Sequence, residues 1–231
     1  MDLLDATRDA FRLLFSGDAA LWTIVWISLR VSLLALLIAT PAAVALGFFL
    51  AVSSFPGRRA CVIALQSLLS FPTVVVGLIL FLLLTRQGPL GSLQMLYTQE
   101  AMIAGQAVIA FPVLAAFALS AVQGADLRVR ETALTLGATR MRAAWTTLFE
   151  VRFAVVAGML NGFGRVISEV GCAMMVGGNI AGVTRNIPTA IALETSKGEF
   201  AQGIALGAVL LVLALGVNIV LSLLQGRGGA K

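Results

Sequence analysis

"ETALTLGATRMRAAWTTLFE", residues 131–150, is a polar segment between long apolar runs, and its position determines the fold of the chain. It carries two acidic and two basic side chains, and Gly137 interrupts what would otherwise be one amphipathic helix. The 231-residue chain around it is 59% hydrophobic and 12% charged, whereas a soluble domain has about 25% charged residues. A small core cannot bury this much apolar surface, so the sequence predicts an integral membrane protein.

Five apolar segments are long enough to span a membrane, because a helix needs about 20 apolar residues to cross a hydrocarbon core of about 30 Å. These segments are 23–51, 60–85, 101–123, 152–176 and 201–225. Apolar residues recur at helical spacing among the charges of residues 1–20, which predicts a helix lying in the membrane interface. The sequence thus predicts an all-α, polytopic helix bundle with a membrane domain at 21–225 and a tail at 226–231. Three spans contain a proline, which predicts helix kinks: Pro41, Pro72 and Pro112.

The basic residues predict the orientation of the bundle. Arg58 and Arg59 follow the first span, an arginine-rich stretch at 124–152 follows the third, and Arg227 and Lys231 follow the fifth. The positive-inside rule places these three segments in the cytoplasm and the N-terminus outside. Because orientation accounts for the charges, we expect a lipid environment and no nucleic-acid partner.

The polar segment has one apolar stripe at a spacing of three to four residues. Its members are Leu134, Ala138, Met141, Trp145 and Leu148. Such a stripe can lie on lipid headgroups, or it can dock in a groove on a soluble partner. Patterning alone favours neither interpretation.

The segment resembles the EAA loop of ABC importer permeases. Glu131, Ala133 and Gly137 match the loop in register, Thr132 replaces its first alanine, and Glu150 stands where proline is usual. The resemblance implies that residues 126–150 form a coupling helix docked on an ABC ATP-binding subunit. The implied coupling residues are Glu131, Ala133, Leu134, Gly137, Ala138, Met141, Trp145 and Leu148. We further expect Glu131 near the first turn of its helix, where a carboxylate favours the positive end of the helix dipole.

A second resemblance covers Gly162 to Ile191, "GFGRVISEVGCAMMVGGNIAGVTRNIPTAI". It is similar to the segment that follows the EAA loop in molybdate, sulfate and tungstate permeases, and most of all to the tungstate type. The matching residues are Phe163, Arg165, Glu169, Gly171, Gly178, Asn179, Ile180, Thr184 and Pro188. The resemblance implies a type I (MetI-like) ABC importer transmembrane domain in the cytoplasmic membrane of a bacterium or archaeon. It also implies a homodimer with two ATPase subunits and an extracytoplasmic substrate-binding protein, with molybdate or sulfate as alternative substrates.

Ionisable residues in the fourth span are candidates for the translocation path. Arg165 and Glu169 are four residues apart, so one continuous helix would place them on the same face as an ion pair. The pair either fixes the helix against its neighbours or lines the path, together with Phe163 and Gly171. In the following loop Asn179, Thr184 and Arg185 form either an ordinary turn or an external gate.

The sequence carries little that could support catalysis. It has no G-x-x-x-x-G-K-[ST] phosphate loop, no histidine, and only Cys61 and Cys172, both in apolar segments. We therefore expect a non-enzymatic transport subunit without a cofactor of its own, while ATP and Mg²⁺ bind the partner subunit. An intramembrane enzyme would need a nucleophile or a carboxylate pair, and Glu169 is the only acidic residue in the predicted spans. A passive anion channel is a further alternative, but it would not need a coupling segment.

Overall fold

The computed structural model describes residues 8, 10, 12 and 15–228. Most of the predicted interfacial helix at 1–20 lies outside these residues, as does the end of the predicted tail at 226–231. The part of the tail that is described, 226–228, continues the last helix instead of forming a separate element.

The described residues form an all-helical chain, as predicted. Its helices are α1 (Ala19–Val52), α2 (Arg58–Leu69), α3 (Thr73–Leu84), α4 (Gln99–Gln123), α5 (Leu127–Thr135), α6 (Arg140–Glu150), α7 (Arg152–Ile167), α8 (Gly171–Gly177), α9 (Ile187–Lys197) and α10 (Phe200–Gly228). A short 3₁₀ turn at Gly91–Leu93 follows α3. By length and composition, α1, α4 and α10 are each able to cross a membrane, with mean hydropathies of 2.4, 2.1 and 2.5.

Two further helix pairs are bent too sharply to be continuous spans. The α2–α3 pair bends by 94° and the α6–α7 pair by 62°. If each bent pair counts as one span, the described chain has up to five. The number is the predicted one, but the second pair includes α6 of the polar segment, whereas the predicted fourth span begins at 152. The bounds differ, because the predicted span 60–85 breaks at Pro72, whose ring lacks an N–H and disfavours helix at the residue before it.

The fourth predicted span, 152–176, is also wrong as a continuous helix. The helix α7 ends at Ile167, and α8 begins only at Gly171. The side chain of Ser168 donates hydrogen bonds to the carbonyls of Gly164, at 2.9 Å, and Arg165, at 3.1 Å. The same type of bond at Thr40 does not end α1, so the Ser168 bonds accompany the end of α7 and do not by themselves cause it.

The helices α1 and α4 form the centre of the bundle and run parallel to each other. Arg30 on α1 contacts Gln99 at the start of α4, while Gly47 lies against Ala115 near its other end. A Cβ atom on Gly47 would collide with the Ala115 carbonyl oxygen, so the two backbones approach as closely as small residues allow. Because both helices point the same way, α5 and α6 lie at one end of the bundle and α9 lies at the other.

Candidate functional site

The predicted coupling segment forms two short helices at the end of α4. Asp126 caps α5, where its Oδ1 accepts a hydrogen bond from the Arg128 N–H at 2.9 Å. Thr139 caps α6 in the same way, through Oγ1 and the Arg142 N–H at 3.3 Å. The helix α5 starts at Leu127, before the EAA-like motif, so Glu131 lies in its middle. The expectation that Glu131 sits at the first turn is therefore wrong.

The turn between α5 and α6 explains why the EAA-like motif has a glycine four residues after Ala133. The Ala138 N–H donates to the Ala133 carbonyl at 3.0 Å, and the Gly137 N–H donates to the Leu134 carbonyl at 3.0 Å. This pair of bonds is a Schellman motif, which requires a left-handed residue after the helix. Gly137 supplies it with φ of +84°, and a Cβ atom there would meet nothing within 4 Å. Backbone conformation, and not a close contact within the chain, therefore requires glycine at this position.

The predicted apolar stripe is divided between two environments. Met141 and Trp145 are 70% and 65% exposed, whereas Leu134, Ala138 and Leu148 are half-buried. The buried face of α6 consists of Ala143 and Thr147, which lie roughly opposite the stripe at about 100° per residue. Because three of its five members are half-buried, the stripe is not one freely exposed ridge.

Two exposed apolar residues beside the stripe were not predicted. Leu136 is 82% exposed immediately before the turn, and Phe149 is 66% exposed at the end of α6. Phe149 follows Trp145 by four residues, so the helical spacing could have identified it. Leu136 does not fit this spacing, and its position just before the glycine turn is the signal that could have identified it.

Arg165 and Glu169 do not form the predicted ion pair in the described structure. Arg165 ends α7 as an exposed side chain, and its Nη2 lies 3.5 Å from the Leu69 carbonyl oxygen at the α2–α3 break. Glu169 is only 8% exposed, and its Oε1 accepts a hydrogen bond from the Cys172 N–H at 3.2 Å. The prediction fails because the break after Ile167 removes the helical register that would align the two residues.

The other path candidates of this segment pack inside the chain. Phe163 is 8% exposed and belongs to the core cluster with Leu36 and Leu114. A Cβ on Gly171 would strike the Val74 side chain, so the start of α8 packs directly on α3. Arg165 is different, because it lines an apolar cavity of about 570 Å³ between α3 and α4. It is the only charged residue among the described residues that line this cavity.

The three candidates of the outer loop are brought together. Thr184 is buried, donates to the Gly177 carbonyl at 2.6 Å and accepts from the Ile180 N–H at 2.9 Å, so it fixes the turn after α8. Asn179 has φ of +52°, and its carbonyl oxygen lies 3.4 Å from Arg185 Nη2. Arg185 Nη1 also lies 3.9 Å from Glu194 of α9.

Glu194 is a buried acidic residue that sequence reasoning missed. It is 5% exposed, and Lys197 Nζ lies 3.1 Å from its Oε1. Its spacing from Lys197 is typical of an ordinary exposed helix pair, so its burial could not be predicted from the local pattern. The loop is also tied to the bundle, because Gln99 bridges Arg30, at 2.9 Å, and the Val183 carbonyl, at 2.7 Å.

Comparisons with known proteins identify the family. No protein-family model matches the chain. The tungstate uptake system permease protein TupB of Peptoclostridium acidaminophilum is 38% identical, over 96% of this chain and 98% of its own length. A probable anion ABC transporter permease protein of Haloferax volcanii is 43% identical over 85% and 87% of the two chains. The molybdenum transport system permease protein ModB of Escherichia coli K12 is 30% identical over 77% and 82%.

A solved structure agrees on the fold. The crystal structure of an amino acid ABC transporter with histidines superposes with a TM-score of 0.68, covering 98% of this chain and 99% of the other at 17% identity. The architecture is therefore that of an ABC transporter permease, and the sequence relatives are themselves transport permeases. The chain belongs to the ABC transporter permease family that includes the tungstate uptake permeases.

Proposed function

We propose that the chain is the membrane subunit of an ABC importer that carries tungstate across the cytoplasmic membrane of a bacterium or archaeon. The observation that carries the proposal is the α5–α6 unit, a helix pair held at a defined angle by the left-handed Gly137. Its exposed apolar residues outside the stripe, Leu136 and Phe149, offer a soluble partner a surface to bind. The tungstate permease relatives, which align over nearly the whole chain, support the choice of substrate.

The proposed assembly contains two copies of this chain, two ATP-binding subunits and an extracytoplasmic substrate-binding protein. ATP and Mg²⁺ bind the ATP-binding subunits, and this chain holds no cofactor. Two helices carry exposed apolar side chains that suit contact with lipid or with a second copy: α3, with Val74, Leu78 and Leu82, and α10, with Leu211, Leu215 and Ile219.

Within this assembly we assign Arg165 to the translocation path. It is exposed, it lies at the α2–α3 break, and it contributes the charge of the adjoining apolar cavity. A guanidinium suits an oxyanion because its N–H donors form a planar fork. Glu169 does not pair with it, so within this chain the buried Glu169 carboxylate acts as a cap for α8 and not as a counter-ion.

The closest alternatives differ in substrate or in energetics. Molybdate and sulfate are tetrahedral dianions like tungstate, and molybdenum and sulfate transport permeases are among the relatives. A passive anion channel is the alternative of another class. It would leave the α5–α6 unit without a role, which is why we favour the importer.

The test is uptake into proteoliposomes that hold the permease, its ATP-binding subunit and its binding protein. We expect uptake of tungstate that requires ATP inside the liposomes and outcompetes molybdate and sulfate. The control uses an ATP-binding subunit that binds but does not hydrolyse ATP. Uptake that persists in this control would show a channel, and a preference for molybdate or sulfate would replace the proposed substrate.

A further inference from the structure

We propose that the groove between α1, α6 and α7 binds one acyl chain of an anionic phospholipid, with the lipid phosphate held by Arg152. The groove has a volume of about 600 Å³. Its twelve described lining residues include Ala45 of α1, Met141, Ala144, Trp145 and Leu148 of α6, and Arg152 of α7. Ten of these twelve described lining residues are apolar and Arg152 is the charged one, which matches a hydrocarbon chain with a single anionic end.

Arg152 is held in place by its neighbours. Its Nη1 donates to the Phe149 carbonyl at 2.7 Å, and its guanidinium carbon lies 4.1 Å from the Phe149 ring centroid and 4.5 Å from that of Phe153. The side chain is nevertheless exposed. A guanidinium has five N–H donors, so it can keep these contacts and still bind phosphate oxygens. The two rings fix the charge at the edge of the groove before any ligand arrives.

The position of the groove favours lipid over a soluble ligand. It lies against the second half of α1, at the end of the bundle that carries α5 and α6. The arginine-rich loops place this end at the cytoplasmic face, where the inner leaflet carries anionic headgroups. Trp145 is 65% exposed, as is common for tryptophan at a membrane interface. Basic pockets between transmembrane helices on this side bind anionic headgroups in other membrane proteins.

The site rests on the proposed function through the cytoplasmic orientation predicted from the arginine-rich loops, but not on the substrate. It assigns a role to Met141, Trp145 and Leu148 that differs from the predicted contact with the ATP-binding subunit. A lipid chain in the groove would support α6 from the membrane side. The neighbouring exposed face of α6, with Arg142, Thr146 and Phe149, would then face the soluble partner.

The experiment measures lipid binding directly, by native mass spectrometry of the detergent-purified permease. Phosphatidylglycerol and phosphatidylcholine with the same acyl chains are titrated in turn. We expect Arg152→Gln to weaken phosphatidylglycerol binding about fivefold, the effect of one basic residue at an anionic surface, and to weaken phosphatidylcholine less, because the choline cation offsets the charge of its phosphate. Arg152→Lys should keep the preference for the anionic lipid, and Arg59→Gln, an exposed arginine away from the groove, should behave as wild type.

A second pair of variants tests the groove without changing its charge. Ala45→Phe places a ring in the groove and should weaken binding of both lipids, while Ala42→Phe, also exposed on α1 but not lining the groove, should not. Equal binding by wild type, Arg152→Gln and Ala45→Phe would overturn the proposal. Disulfide cross-linking of two chains through Ala144→Cys would do the same, because a second copy would then occupy the groove. Since no step involves uptake, failure here leaves the proposed transport function untouched.

Discussion

Replacing Gly137 tests whether the angle between α5 and α6 is needed for coupling. The residue has φ of +84°, and a non-glycine residue in left-handed backbone costs roughly 1–2 kcal/mol. A β-branched residue such as valine is at the upper end of this range. Relaxing to another conformation would release the two hydrogen bonds of the Schellman motif, each worth about 1 kcal/mol. Gly137→Val therefore loses about 2 kcal/mol, whichever way the chain responds.

This loss should appear in the affinity for the ATP-binding subunit. If docking requires the native turn, binding must restore it, and about 2 kcal/mol corresponds to roughly thirtyfold weaker binding. Gly137→Ala should lose about 1 kcal/mol, or roughly fivefold. We expect Gly137→Val to remain in the membrane, since α1, α4 and α10 do not contain the substitution, but to lose co-purification with the ATP-binding subunit and uptake.

Replacing Gly137 by asparagine distinguishes a requirement for left-handed backbone from a requirement for a small side chain. Asparagine adopts left-handed backbone more readily than alanine although it is larger. Conformational strain predicts that Gly137→Asn binds better than Gly137→Ala, whereas a tight contact with the partner predicts the reverse order. The assay is titration of the purified ATP-binding subunit onto each variant, with substrate-dependent ATP hydrolysis measured alongside. Wild-type affinity in Gly137→Val would refute the coupling role of this turn.

Three further predictions follow from other contacts. Glu169→Gln should change the free energy of unfolding by less than about 1 kcal/mol, because an amide oxygen can still accept the hydrogen bond at the start of α8. Its effect should add to that of Arg165→Gln. A double variant that is more stable than either single variant would instead support the predicted ion pair. Gly77→Val should prevent accumulation of folded protein in membranes, since a Cβ there approaches the α8 backbone to 2.8 Å; normal levels by fluorescence size exclusion would contradict this packing. In a Cys61→Ser background, which removes the exposed native thiol, cysteine at Thr146 should react with a membrane-impermeant maleimide only in inverted vesicles and cysteine at Ser196 only in intact cells; the opposite pattern would reverse the proposed topology.

The long spans could be predicted from the sequence because the bilayer fixes both their length and their composition. The helices α1 and α4 lie close to the predicted 23–51 and 101–123. Breaks within apolar sequence are harder to predict, since hydropathy reports how apolar a segment is and not where its helix bends. The residues 70–72 and 168–170 interrupt two apolar runs, and only the proline at 72 marks one of the breaks.

The candidate site was predictable where it depends on local backbone geometry. The spacing from Ala133 to Gly137 is the spacing of a Schellman motif, so the motif identifies the turn without tertiary information. The partners of Arg165 and Glu169 are set by tertiary packing and by the break in the fourth apolar run. An i, i+4 rule applies only while the helix continues, which is why the predicted ion pair was wrong.

A single helix, α7, connects the coupling segment to the cavity beside Arg165. The helix α7 follows α6 directly after the 62° bend, with Val151 alone between them. Since only one residue separates the two helices, we expect a tilt of α6 against a partner to move α7 as well. The far end of α7 carries Arg165, which contacts the Leu69 carbonyl at the α2–α3 break. Motion at α6 would then reach the more sharply bent of the two helix pairs, next to the charge that we assign to the translocation path.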